Sequence, residues 1–219
     1  MIELINLARS WGNFTLSNIN LNVTKGEFFG LFGHNGAGKT LLMETIAGIW
    51  IPQEGQVWIN GKELTNMPPE ERNIGFVYQE PLLFPHLSVK ENICYGLRAR
   101  RFTKEHREQR FAELVELLKL NQISWRKNVD CLSGGEKQKV ALARALAGSP
   151  EVILLDEPAY SLDEQSCQIF YSLLKDLNQR KKITIILISH DYVELKGLVC
   201  RIGIMQSGRI IRIDEVVSI

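Results

Sequence analysis

The chain has no stretch able to cross a membrane as a helix. Its longest apolar runs, such as residues 183–188 broken by Thr184, are strand-sized. It also lacks paired cysteines: Cys94, Cys131, Cys167 and Cys200 stand far apart with no C-x-x-C spacing. That suggests neither a zinc site nor a disulfide framework, and it fits a reducing cytoplasm. No basic segment followed by an apolar one opens the chain, since Met1 runs straight into Ile2-Glu3-Leu4-Ile5, so a secretory leader is not expected. Charge of one sign is missing too. Lys plus Arg number 26 against 25 Asp plus Glu, for a net charge of +1, which gives no support for nucleic-acid binding through a broad basic face. The local clusters Arg98-Ala99-Arg100-Arg101 and Arg180-Lys181-Lys182 read as solvated helix ends or turns. There is no internal repeat and no low-complexity linker. What is present is ordinary: 45% hydrophobic and 23% charged residues over 219 positions. A chain of this length buries about 70% of its unfolded surface and needs no covalent or metal staple. One domain, or one with an inserted lobe, is expected, and any membrane role must come through a partner.

Apolar–polar alternation over residues 2–8 and 14–23 predicts half-buried antiparallel strands. A short strand over 27–32 leads into a glycine loop, and residues 39–47 have helical character with Leu42, Ile46 and Ile49 on one face. Residues 56–59 with Asn60-Gly61 predict a strand and tight turn, because both turn residues tolerate positive φ. Residues 74–78 form another strand. From about 81 to 149 the pattern turns helical: an amphipathic helix over 104–120 carries Phe111, Leu114, Val115 and Leu118, and a second helix runs 134–147 to a Gly148-Ser149-Pro150 stop. The apolar runs 152–155 and 183–188 read as parallel strands covered on both faces, joined through a helix over 164–179. The fold class is therefore α/β, with a helical subdomain over 81–149 inserted in a core over 1–80 and 150–219; the pattern G-x-x-x-x-G-K-[ST] at residues 33–40 makes that core a P-loop nucleotide-binding one.

Gly33-His34-Asn35-Gly36-Ala37-Gly38-Lys39-Thr40 fits G-x-x-x-x-G-K-[ST]. Its glycines let backbone N–H groups converge on phosphate oxygens. Lys39 can neutralise β- and γ-phosphate charge, and the Thr40 hydroxyl can ligate Mg²⁺. The helix opening at Lys39 adds its positive end. Val152-Ile153-Leu154-Leu155-Asp156-Glu157 is an apolar strand ending in two carboxylates. Beside a phosphate loop, Asp156 can hold the Mg²⁺ shell while Glu157 orients and deprotonates water. An N-cap role for the following helix suits Ser161 or Asp163 better.

Leu132-Ser133-Gly134-Gly135-Glu136 opens the second long helix. A capping box explains Ser133 and Glu136. It does not explain Gly134 and Gly135, each costing about 1 kcal/mol in a helix unless something approaches closely; a phosphate at that N-terminus supplies a reason. Three single residues join the set. Gln79, at a strand end, can reach Mg²⁺ or the lytic water, and is otherwise a turn residue. His190, before Asp191, can contact a γ-phosphate, and is otherwise a surface or cap residue. Trp11, beside Gly12, can stack on adenine, and is otherwise core packing.

With these residues in order, the whole chain resembles the nucleotide-binding subunits of ATP-binding cassette (ABC) transporters. The resemblance rests on Trp11, the Walker A loop 33–40, Gln79, the signature 132–136, Walker B with Glu157, the D-loop Ser161-Leu162-Asp163, and His190. It implies an ATPase using ATP and Mg²⁺. Two copies would pack head to tail, each ATP lying between one copy's Walker A loop and the other's Ser133, Gly134 and Gly135. It further implies transmembrane permease subunits, an extracytoplasmic solute-binding protein reached through them, and a place at the cytoplasmic face of the membrane. The segment Tyr78 to Ile93 resembles importers of molybdate, tungstate, sulfate, iron and polyamines. Arg9-Ser10-Trp11-Gly12-Asn13-Phe14 and Gly38-Lys39-Thr40-Leu41-Leu42 resemble the molybdate/tungstate branch. The rivals are an exporter ATPase and a soluble nucleotide-gated clamp, the latter opposed by a single cassette. Two positions depart from the family pattern: Leu41 replaces a second Ser/Thr, removing a phosphate contact, and Lys139 replaces an Arg after the signature. The chain stops at Ile219, from which no C-terminal regulatory domain is expected.

Overall fold

A computed structural model describes residues 1–216. β1 (Ile2–Trp11) and β2 (Phe14–Val23) form an antiparallel pair, β3 (Phe28–Phe32) enters the centre of the molecule, and α1 (Lys39–Ala47) follows the glycine loop. β4 (Glu54–Ile59) pairs with β1 and turns into β5 (Lys62–Glu63). Asn60 (φ 51°) and Gly61 (φ 76°) make that turn, the pair of positive φ values a two-residue hairpin requires. A short α2 (Pro69–Arg72) and β6 (Ile74–Val77) follow. Next come α3 (Val89–Ala99), α4 (Lys104–Leu117) and α5 (Gly134–Leu146), with no strand among residues 81–149. The chain closes with β7 (Val152–Asp156), α6 (Glu164–Lys181), β8 (Thr184–Ser189), α7 (Tyr192–Lys196), β9 (Arg201–Gln206) and β10 (Arg209–Glu215).

Two sheets result. One is antiparallel, in the order β2-β1-β4-β5; the other runs β10-β9-β3-β8-β7-β6, parallel except for β10. Every residue of β7 and β8 is buried, as strands covered on both faces must be. Successive residues of these strands serve two separate cores. Phe28, Ile153 and Ile185 pack with Ile93, Leu142 and Phe170 on the helical side. Phe29, Leu154 and Ile186 pack with Leu4, Leu16, Leu42 and Met43 under the antiparallel sheet, the period-two alternation of a strand. α1 is thereby wedged between the sheets. Its last carbonyls are held by buried Arg72, whose Nη1 donates to Thr45 O (3.0 Å) and Ile46 O (2.8 Å). Burial pushes the Arg72 guanidinium down to about 10.

The structure departs from the sequence expectations in places. Gly48 (φ 86°) caps α1, so Ile49 falls outside it and is 41% exposed rather than sharing the face of Leu42 and Ile46. α4 stops at Leu117, although Leu118 and Leu120 are buried beyond it. β1 runs on to Trp11, and α6 runs on to Lys181. α2, α3, α7, β9 and β10 are additional elements.

Candidate nucleotide site

The order β3-β8-β7-β6 places the carboxyl ends of four parallel strands side by side. Loops leaving that edge are where open α/β sheets gather ligands. β3 delivers residues 33–38, β7 delivers Asp156 and Glu157, β8 delivers His190, and β6 delivers Gln79. All four converge on one open cleft of about 1020 Å³. Gly33, His34, Asn35, Gly36, Gly38, Lys39, Thr40 and Leu41 line it, with Gln79, Asp156, Glu157 and His190 opposite.

Gly38 (φ 98°) is the N-cap of α1. A Cβ there would lie 2.6 Å from Phe14 Cζ, so both the backbone and the neighbouring ring demand glycine. Lys39 is 6% exposed, and its Nζ donates to Gly33 O (2.6 Å) and His34 O (3.2 Å). Burial lowers its pKa, while Glu157 and Asp156 act the other way. Thr40 Oγ1 donates to Asp156 Oδ2 at 2.6 Å. Burial raises the Asp156 carboxyl above its usual range, and the Thr40 hydrogen bond opposes that.

Glu157 stands at the centre. Its Oε1 lies 3.9 Å from Lys39 Nζ and its Oε2 lies 3.0 Å from His190 Nδ1. Its backbone is left-handed at φ 42°, with the amide donating to Ile188 O at 3.1 Å. A left-handed non-glycine residue costs of order 1–3 kcal/mol, a cost that functional sites retain. The Glu157 carboxylate thus faces Lys39 and His190, while that of Asp156 meets Thr40.

Among the described residues, no group of three or more His, Cys, Asp or Glu could cage a metal. One carboxylate beside one hydroxyl suits Mg²⁺, which keeps waters and takes its remaining ligands from substrate phosphates. Thr40 and Asp156 fit that description.

The other residues singled out in the sequence lie elsewhere. Ala37, within the loop, is buried and does not line the cleft. Trp11 packs edge-on to Trp50 (5.9 Å, 80°) with the Arg9 guanidinium over its ring at 5.1 Å. It does not line the cleft; Phe14, three residues on, does. Asp163 caps α6, accepting from Ser166 N at 2.9 Å. Ser133 forms the expected capping box with Glu136. Neither Ser133, Gly134, Gly135 nor Asp163 lines the cleft.

Sequence reasoning passed over several residues. Phe14, Phe32 and Tyr160 line the cleft, Tyr160 being 65% exposed with its ring edge-on to His190 at 5.8 Å. Gln138 Nε2 donates to Gln79 O at 2.8 Å, and Arg144 donates to Pro81 O and Leu82 O. Two side chains of α5 therefore hold the backbone around Gln79. Their helical spacing marked α5, but nothing in the sequence pointed them at residue 79.

The comparisons with known proteins agree with this geometry. A family profile described as ABC transporter matches residues 16–160. The molybdate/tungstate import ATP-binding protein of Pyrococcus abyssi is 38% identical over 216 residues, covering 99% of this chain and 62% of that protein. The spermidine/putrescine import ATP-binding protein of Legionella pneumophila (strain Paris) is 39% identical over 211 residues, covering 96% of this chain and 58% of its own. The chain thus spans about three fifths of the length of these two relatives. Among solved structures, the dimeric post-hydrolysis cassette MJ0796, bound to ADP and Pi, superposes with a TM-score of 0.86 at 31% identity, covering 100% of both chains. No helix among the described residues is long and apolar enough to cross a membrane. Fold, cleft and similarity lead to one conclusion: the chain belongs to the ABC transporter family, as an ATP-binding cassette.

Proposed function

We propose that this cassette hydrolyses Mg-ATP and energises an importer of a small oxyanion such as molybdate or tungstate. The observation that carries the ATPase reading is the position of Glu157, one carboxylate oxygen near Lys39 and the other on His190, beside the Thr40–Asp156 pair. Loop amides and Lys39 bind the β- and γ-phosphates. Thr40 and Asp156 would hold Mg²⁺, which would neutralise phosphate charge. Glu157 takes a proton from water as the water oxygen attacks the γ-phosphorus. The bond from phosphorus to the ADP oxygen then breaks, giving ADP and phosphate. His190 and Gln79 hold the γ-phosphate and the water. Trp11, braced by Arg9 and Trp50, and Phe14 supply aromatic surface on the adenine side.

Ser133, Gly134 and Gly135 of a second copy complete the site, with Asp163 at the same junction. One detail supports this sandwich. Added Cβ atoms at Gly134 and Gly135 would meet only ordinary contacts, at 3.5–3.6 Å from Leu162 and Ser166, so nothing among the described residues of one protomer demands either glycine. The remaining proposed partners are permease subunits and, through them, a solute-binding protein, with the cassette at the cytoplasmic face of the membrane.

The molybdate/tungstate relative supports the oxyanion, while a relative of equal likeness named for polyamine import favours a second reading, import of a polycation. Calorimetry on the solute-binding protein that purifies with the assembled transporter separates them. Tight binding of molybdate or tungstate supports the proposal, and tight binding of spermidine replaces it.

A further inference from the structure

The turn that carries His190 is anchored from beneath. Ser189, 4% exposed, donates its hydroxyl to Glu194 Oε2 at 2.6 Å and accepts from the Asp191 amide at 3.0 Å. Asp191 Oδ1 in turn accepts from the amides of Val193 and Glu194. Both neighbours of His190 are therefore bound to residues of α7. The other oxygen of Glu194 faces α6, where Cys167 Sγ donates to it at 3.7 Å. The phenol of Tyr171, 7% exposed, lies beside the same carboxylate. Burial and that carboxylate push the Cys167 thiol up to about 11 and the Tyr171 phenol further up, so both stay protonated as donors at neutral pH. Among the described residues, none of the side-chain hydrogen-bond partners of Glu194 lines the nucleotide cleft.

A half-buried carboxylate spanning three elements restricts what it joins, because severing it leaves polar groups unpaired. We propose that Glu194 is a positioning residue for His190. Through Ser189 it fixes the turn that places the His190 imidazole 3.0 Å from Glu157, and through Cys167 and Tyr171 it ties that turn to α6. Asp163 caps the start of α6, so the strut also links His190 to the segment proposed to meet the second copy. The inference rests on the reading of His190 as a contact of the γ-phosphate.

The test is a double-mutant cycle on full-length protein, scored by steady-state Mg-ATP hydrolysis. Glu194→Ala and Ser189→Ala are each expected to lower kcat about tenfold while KM for Mg-ATP stays within about twofold. Glu194→Gln keeps the volume and one acceptor oxygen and recovers part of the rate. The deciding measurement is Glu194→Ala in the His190→Ala background, where a residue acting only through His190 adds less than about a twofold loss. A loss that multiplies in full in that background overturns the proposal, as does unchanged kcat in Glu194→Ala. Should Glu194→Ala fail to fold, Ser189→Ala severs the same link and is read in the same cycle. A silent His190→Ala removes both the role of His190 and this inference. A crippled His190→Ala beside a silent Glu194→Ala removes this inference alone.

Discussion

Thr40 and Asp156 are 116 residues apart in sequence, yet the hydroxyl of one donates to the carboxylate of the other at 2.6 Å. The bond joins the first turn of α1 to the end of β7 and holds two metal-suited oxygens together. Burial raises the Asp156 carboxyl, with Thr40 pulling against it. A carboxyl raised on folding stabilises the fold below the ordinary carboxylate range, and that contribution is lost as pH rises through the raised value. At neutral pH the charged Asp156 therefore costs the nucleotide-free protein stability. Asp156→Asn should raise the melting temperature of nucleotide-free protein at neutral pH and flatten its decline from acid to neutral pH. The same variant should lose about 10²–10³-fold in Mg-ATP hydrolysis. A lower melting temperature at neutral pH would show that Asp156 carries no such burden.

Glu157 occupies a different position, near Lys39 and His190. Glu157→Gln keeps its size and left-handed backbone but removes the base. Turnover should fall by roughly 10²–10⁴-fold, with Mg-ATP affinity retained in an equilibrium titration. Near-normal turnover would move the base elsewhere.

How far the sequence carried depends on the physics of each element. β7 and β8 were legible because strands buried on both faces are continuous apolar runs, and the glycine loop because phosphate binding restricts backbone and side chain at fixed spacing. The cap at Ser133 was legible for the same local reason, and that of α6 was narrowed to Ser161 or Asp163, of which Asp163 is the cap. α3 was not, although Ser88 and Glu91 form a capping box at its start. Its interior carries Asn92, fully buried, which accepts from Phe84 N and donates to the carbonyls of Phe84 and Leu87. Buried Val89, Ile93 and Leu97 still share one face at i, i+4 and i+8, a signal of α3 that sequence reasoning passed over. In the site, Phe14 and Tyr160 reach the cleft through tertiary placement, which no local spacing encodes. Glu194 is likewise silent in sequence, because all its partners outside α7 lie on other elements.

Gly38 offers a sharper test of the loop. Gly38→Ala forces a side chain into φ 98° and places its Cβ 2.6 Å from Phe14 Cζ. The backbone strain alone costs roughly 1–3 kcal/mol. Thermal melts should show a clear loss of stability, and Mg-ATP affinity should drop about tenfold or more as the loop amides shift. Adding Phe14→Leu relieves the ring contact but not φ, so only partial recovery is expected. Full recovery would place the whole cost in the ring contact.

The signature glycines behave differently, and that difference tests the sandwich. At Gly134 and Gly135 a Cβ makes only ordinary contacts within the protomer, and neither residue has a positive φ. They occupy the first two positions of α5, where alanine is the better helix former by up to about 1 kcal/mol. Gly134→Ala and Gly135→Ala should therefore leave the melting temperature of the nucleotide-free protein unchanged or higher. If a phosphate of an ATP held by another copy approaches this helix N-terminus, the added methyls obstruct it. In the Glu157→Gln background, ATP-driven dimerisation followed by size-exclusion chromatography should then weaken about tenfold or more, and in the parent protein turnover should fall with it. Intact dimerisation and turnover in both variants would mean that nothing approaches these glycines from outside, and the site would have to be complete within one chain.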